Sequence, residues 1–274
     1  MTETELQKAF GVAKLSDENI IGGGSFANVY KVVYKHVFYA VKVINAQILR
    51  YQTEKVKKYV ESEVKILQKL QHPFVISLLN QFDVEIKQAN KVLKKKILVM
   101  PFAEQQINTQ IKNEKIMLQL LVAVQYLHNQ QIIHRDIKPD NIMVRNGNIY
   151  LIDLNVSKEA EAVNNTLIGT PIYMAPEVFN GSYDSKVDVY SIGCVWYEYL
   201  TGKSILQECE EQIQQNHERK QLHQFEIYKY IPKLNEESKF HKYCNQMMTV
   251  NPKERVTIGE LVQAFKQEIL DTLE

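Results

Sequence analysis

The sequence is poor in cysteine, in long apolar runs and in net charge, and each scarcity closes off a class of protein. Its three cysteines, Cys194, Cys209 and Cys244, are odd in number and widely spaced. That fits neither a disulfide framework nor a zinc-ligand pattern and implies a reducing compartment. No uninterrupted apolar stretch approaches the roughly eighteen residues of a membrane span, and the opening MTETELQKAF lacks the apolar core of a signal peptide. A cytoplasmic or nuclear location without membrane attachment is therefore expected. With 33 Lys and Arg against 32 Asp and Glu, the formal net charge is only +1, which leaves no electrostatic footprint for nucleic acid. There is no internal repeat, and the Gln/Glu-rich segment 207–221 is the one compositionally biased stretch.

What is present is an ordinary globular composition, 45% hydrophobic and 24% charged over 274 residues, near the size at which one core stops growing and a chain divides into lobes. Residues 20–44 read as strand, turn and strand, rich in β-branched and aromatic residues around Lys35-His36, with glycines before the pair. From about 48 to 70 the period changes: Val56, Val60, Val64 and Leu67 recur at spacings of three and four, the stripe of an amphipathic helix that ends at His72-Pro73. Two further apolar runs, 75–82 and 96–102, flank a lysine-rich stretch, 91–96, that reads as a solvated hairpin loop. Beyond Phe102 the pattern is mainly helical, over 116–128, 187–200 and 256–269. Strands followed by helices imply an α+β chain, with a small β-rich lobe and a larger helical lobe joined near 101–104.

Three motifs carry chemistry. The first is Ile21-Gly22-Gly23-Gly24-Ser25-Phe26-Ala27-Asn28-Val29, a glycine-rich turn between strands. Glycines let backbone amides approach phosphate oxygens, although such a pattern alone is more often an ordinary turn. A dinucleotide loop needs a helix after it and a P-loop needs Gly-Lys-Ser/Thr; neither is present. The second is Tyr39-Ala40-Val41-Lys42-Val43-Ile44, where period two puts Lys42 on the face of Ala40 and Ile44. Such a lysine either reaches past the strand edge to water or needs a partner, and Glu63, beside the helix stripe, is one. The third is His134-Arg135-Asp136-Ile137-Lys138-Pro139-Asp140-Asn141, followed by Asp153 at the end of a short apolar strand, 149–152.

This third stretch resembles the catalytic loop of the eukaryotic protein kinase family, serine/threonine type. Gly169-Thr170-Pro171-Ile172-Tyr173-Met174-Ala175-Pro176-Glu177 is similar to the end of that family's activation segment. The motifs agree in order and spacing from about residue 15 to 265. The resemblance implies a bilobal fold, with a leader 1–14, a catalytic domain 15–270 (lobes 15–102 and 103–270) and a tail 271–274. It implies ATP and Mg2+ as cofactors and protein Ser/Thr hydroxyls as acceptors. In that scheme the loop 21–29 covers the phosphates and Lys42, held by Glu63, binds them. Adenine meets Val29, Ala40, Met100, Met143 and the N–H of Ala103. Asn141 and Asp153 hold magnesium, Asp136 is the catalytic base, and Lys138 touches the transferred phosphoryl group. Lys138 and Thr170 mark serine/threonine specificity. His134 and Leu154, with Leu67, resemble an internal apolar spine, Asp188 resembles a cap on the catalytic-loop backbone, and Glu177 with Arg255 resembles a buried ion pair.

The departures are local. Asp153-Leu154-Asn155 stands where Asp-Phe-Gly is usual, and asparagine is among the residues least penalised at positive φ. Ala27 replaces the third loop glycine, Pro101 removes one N–H from the connection, and no acidic residue is obvious for the ribose. Thr166 stands where related enzymes are phosphorylated by an upstream kinase, with Arg135 and Lys158 as receiving cations. The expected protein is a monomer; a pseudokinase scaffold is the alternative, and a small-molecule kinase fits less well because such enzymes generally lack the Gly-Thr-Pro and Ala-Pro-Glu elements.

Overall fold

The computed structural model describes residues 17–23, 27–45, 54–88, 91–107, 114–154, 171–181, 183–205, 207–209, 211, 228, 231–236 and 238–271. The chain divides into two compact units, Met1–Glu104 and Gln105–Glu274. The division falls after Glu104, where the sequence reading put it after Phe102.

The first unit is built on a five-stranded sheet of order β1-β2-β3-β5-β4, comprising β1 (Ile20–Gly23), β2 (Ala27–Tyr34), β3 (Val37–Asn45), β4 (Asn80–Gln88) and β5 (Lys91–Pro101). Every pairing is antiparallel. Because successive side chains alternate in face, Tyr30 and Val32 of β2 join Val41 and Val43 of β3, with Phe82, Ile97 and Val99, in one apolar cluster. The opposite face bears Val29, Lys31 and Val33 with Phe38, Ala40 and Lys42. The β2–β3 turn is Lys35-His36, both at positive φ (48° and 63°), the left-handed pair that matches a two-residue hairpin to strand twist.

Helix α1 (Glu54–Lys69) buries Glu63, Val64 and Leu67, and Leu70 follows. Residues 48–53, the expected start of this helix, lie outside the described residues. One expectation is overturned: 91–96 is not a loop but the first half of β5, in register with Gln88 back to Asp83 of β4. The register sets Lys96 opposite Asp83 and Lys94 opposite Glu85, and Lys96 Nζ lies 3.0 Å from Asp83. The backbone ladder to β4 makes a strand of a segment whose own composition reads as a loop, and the Lys96–Asp83 pair lies across it.

The second unit has a three-stranded antiparallel sheet of order β6-β7-β8, with β6 (Gln105–Gln106), β7 (Ile142–Arg145) and β8 (Asn148–Leu151). Its helices include α2 (Glu114–Asn129), α3 (Lys186–Thr201), α4 (Lys239–Met247) and α5 (Ile258–Asp271). The β7–β8 turn is Asn146-Gly147, with φ of 51° and 74°, again a left-handed pair. Helix α3 is buried along 187–197 and packs on α2 and α4, while α2 packs on α5 and β8. At Gly193 a Cβ would come within 2.8 Å of Met247 and Met248, so only glycine permits α3 and α4 this approach. Trp196 of α3 meets Phe265 of α5 edge-on at 4.7 Å. Helix α5 opens with a reciprocal cap: the backbone N–H of Thr257 donates to Glu260 Oε2 (2.8 Å) and that of Glu260 to Thr257 Oγ1 (3.3 Å). Among the described residues no helix is long and apolar enough to cross a membrane.

Candidate active site

The two units each carry a group of chemistry-bearing residues. In the first, the β2–β3 register pairs Val29 with Lys42 and the β3–β5 register pairs Lys42 with Leu98 and Ala40 with Met100. Val29, Ala40, Lys42, Leu98 and Met100 therefore share one sheet face. Lys42 Nζ donates to Glu63 Oε1 at 2.5 Å, with both side chains largely shielded. An ammonium at mid-strand on a partly buried face is stabilised by a neighbouring carboxylate, and α1 supplies one to Lys42. Of the glycine-rich turn, Ile21, Gly22, Gly23, Ala27, Asn28 and Val29 are seen, with Gly23 paired to Asn28 across the β1–β2 ladder. Gly24, Ser25 and Phe26 lie outside the described residues. Ala103 is buried just beyond β5.

In the second unit one loop, 132–141, brings the remaining groups together. Asp188, in the first turn of α3, is wholly buried and organises it. Its Oδ2 accepts from the backbone N–H of His134 (2.8 Å) and lies 2.8 Å from His128 Nε2; its Oδ1 accepts from the N–H of Arg135 (2.8 Å). Those bonds hold Arg135 at a φ of 69°, a conformation that costs a non-glycine residue energy unless its surroundings impose it. The Arg135 guanidinium lies 5.2 Å from the Tyr183 ring centre. His134 is buried and its Nε2 lies 3.0 Å from the carbonyl of Ile152, tying the loop to the end of β8.

With the loop backbone held, Asn141 Nδ2 donates both to the Asp136 carbonyl (2.7 Å) and to Asp136 Oδ2 (2.9 Å), and Lys138 Nζ lies 3.1 Å from the same Oδ2. The Asp136 carboxylate is thus oriented and kept beside a positive charge. The N–H of Ile152 donates to the Asn141 carbonyl at 2.9 Å, so Asn141 and Asp153, next in the chain, are neighbours. Asp153 is exposed and at a φ of 57°. Since the Asn141 amide nitrogen is committed to Asp136, its Oδ1 is the atom left on the opposite side of the amide. An amide oxygen and a carboxylate are the hard donors that magnesium takes, and the pair fits that ion.

Burial alone would raise the Asp188 carboxyl. The His128 hydrogen bond, the His128 and His134 charges and the Arg135 backbone N–H outweigh it, leaving the pKa below the ordinary aspartate value. A depressed folded-state pKa contributes stability that is present above the unfolded value and lost as pH falls through the folded one. Asp188→Asn is expected to lower stability at neutral pH, with the gap to the parent closing below about pH 4. Urea denaturation at several pH values measures this, and a gap independent of pH contradicts it.

The structure thus groups Asp136, Lys138 and Asn141 with Asp188 in the second unit and pairs Lys42 with Glu63 in the first. Met143 sits half-buried on β7. Asn155, Lys158, Thr166 and Thr170 lie outside the described residues. His128 was not singled out from the sequence: its place at the end of an amphipathic helix hides its role, and only a buried acid facing that end reveals it. The sequence reading placed a strand at 149–152, which is β8 (Asn148–Leu151), but missed its partner β7, although Asn146-Gly147 between apolar runs is a strong hairpin signal.

Comparison with known proteins adds the lineage. Residues 15–265 match the family model described as the protein kinase domain. Over 73% of this chain, similarity extends to the probable serine/threonine-protein kinase fhkD of Dictyostelium discoideum at 32% identity. Over the same share it extends to serine/threonine-protein kinase AtPK1/AtPK6 of Arabidopsis thaliana at 31% and to a cAMP-dependent protein kinase catalytic subunit of Arthrobotrys oligospora at 33%. The matched regions are 29%, 45% and 40% of those relatives, so the chain spans less than half of their length.

Proposed function

The chain belongs to the protein kinase family, and from that premise we propose that it transfers the γ-phosphoryl group of ATP, with Mg2+, to serine or threonine hydroxyls of protein substrates. The observation that carries this reading is the Asp136 carboxylate, which is fixed by Asn141 and flanked by Lys138. As the acceptor oxygen bonds to the γ-phosphorus its O–H bond breaks, and the proton passes to Asp136. The bond from the γ-phosphorus to the bridging oxygen breaks and ADP leaves with the electron pair. Lys138 offsets charge on the transferred group, while Lys42, held by Glu63, binds the non-transferred phosphates. Asn141 and Asp153 hold magnesium, which supplies charge neutralisation on the phosphates. Adenine lies against Val29, Ala40, Met100 and Met143 with the Ala103 N–H as donor, and residues 21–29 cover the phosphates. Labelled ATP, Mg2+ and a generic protein substrate test the reading. Phosphoserine or phosphothreonine is the expected product, and phosphotyrosine alone or no transfer overturns it.

Control by an upstream kinase at Thr166 extends the reading. A phosphate there brings nearly two negative charges, for which Arg135 and Lys158 are the counter-ions and with which Thr170 is ordered. Arg135 supports this because its backbone is clamped to Asp188. Thr166→Ala is expected to lower turnover of enzyme that has been treated with an activating kinase by about tenfold or more. Equal turnover of variant and parent after that treatment rejects this control.

A further inference from the structure

The sheet face that carries Lys42 carries a second lysine with a different environment. Lys31 stands directly across β2–β3 from Ala40, and Val33 from Phe38. Lys31 Nζ lies 4.3 Å from the centre of the Phe38 ring and 4.6 Å from that of Phe102. The two rings are 5.9 Å apart and inclined by 50°. An ammonium within about 6 Å of an aromatic face is attracted by the ring quadrupole, so one shared cation draws two rings together. Phe38 is 42% exposed and Phe102 only 8%, which makes Phe38 and the lysine the outer side of a clamp whose inner jaw is Phe102.

The position of that inner jaw gives the clamp its consequence. Pairing of β3 with β5 ends at Tyr39 and Pro101, and proline has no N–H to continue it. Phe102 is the first residue beyond the ladder, and Ala103 comes next. The backbone that would meet adenine therefore begins where strand hydrogen bonding stops, and the buried Phe102 immediately precedes it.

We propose that Lys31 and Phe38 are positioning residues for the nucleotide base: the cation shared by the two rings fixes Phe102 and, through it, the direction of the Ala103 N–H. The proposal rests on the reading that Ala103 donates to adenine. Lys31 itself touches no nucleotide atom in this scheme, so its charge matters for the base and not for the phosphates.

The test uses Lys31→Met, which keeps the aliphatic stem and removes the charge, and Lys31→Arg, which keeps the cation. Binding of ATP, adenosine and inorganic tripolyphosphate is measured for each by calorimetry, together with kcat, KM for ATP and thermal midpoint. Lys31→Met is expected to weaken ATP and adenosine by about 3- to 10-fold and to leave tripolyphosphate unchanged. KM should rise by more than kcat falls, and Lys31→Arg should restore both. If Lys31→Met binds adenosine as the parent does, or if it weakens all three ligands alike with a lowered thermal midpoint that arginine fails to rescue, the clamp is structural and the proposal is overturned. A parent that binds tripolyphosphate and adenosine no better than a denatured control overturns the nucleotide reading itself, and the proposal with it.

Discussion

Asp136→Asn is expected to lower kcat by a factor of about 100 to 10,000, some 3 to 5 kcal/mol of barrier, while KM for ATP moves little. The substitution is nearly isosteric and keeps an oxygen that can accept from Asn141, whose bond to Asp136 Oδ2 is 2.9 Å. What it removes is the negative charge and the basic oxygen to which the acceptor hydroxyl would pass its proton. Loss of turnover with ATP binding preserved is the signature of a group used in the transition state and not in ground-state binding. Single-turnover transfer and nucleotide binding, measured side by side, check both halves. A variant with parental kcat assigns the proton to another acceptor, and one that no longer binds ATP assigns Asp136 to ground-state binding.

Arg255→Met is expected to destabilise the second unit by about 3 to 5 kcal/mol. Arg255 has no exposed side-chain surface, and Glu177 is nearly as shielded. The guanidinium donates from Nη1 to Glu177 Oε1 (2.5 Å) and the Lys186 carbonyl (2.9 Å), and from Nη2 to Glu177 Oε2 (3.0 Å) and the Val250 carbonyl (3.2 Å). It donates from Nε to the Thr249 carbonyl (2.8 Å). All five donors of the group are thus used, and its Cζ lies 5.0 Å from the Tyr190 ring centre. Removing it strands a buried carboxylate and takes a donor from three carbonyls. The double variant Glu177→Gln with Arg255→Met should recover part of the loss, because it no longer buries an unpaired charge. Urea denaturation of parent, single and double variants measures this. A single variant within about 1 kcal/mol of the parent reduces the pair to a surface-like contact.

Legibility in the sequence followed the range of the interactions. The β2–β3 hairpin was readable because its β-branched alternation and its Lys35-His36 turn are local. Lys42 and Glu63 could be paired because one period placed the lysine on a face and another placed the acid beside a helical stripe. The 91–96 stretch misled because lysines are poor strand formers by themselves, and what holds them extended is the backbone ladder to the partner strand β4. His128 misled for a related reason: nothing within a few residues of it marks its partner, which is Asp188, sixty positions on.

The loop 132–141 shows the same division at closer quarters. That Asp136, Lys138 and Asn141 belong together is written in their spacing, since five residues of chain cannot separate them far. That Arg135 adopts a left-handed backbone is not, because the cost is met by Asp188 arriving from another helix. The Lys31 clamp is equally silent in sequence, as Lys31, Phe38 and Phe102 meet only through strand register and the end of β5.

Residue order alone determined the family pattern, the order of strands and then helices, and the identity of the groups proposed to bind phosphate or move a proton, because these depend on side-chain chemistry and on periods of two and of three to four. Only the folded chain decided which carboxylate a buried histidine would face, which strand would hold a run of lysines, and which rings would share an ammonium. Those choices are made by contacts between distant segments, and a contact's energy depends on burial and distance, neither of which exists until the backbone has closed on itself.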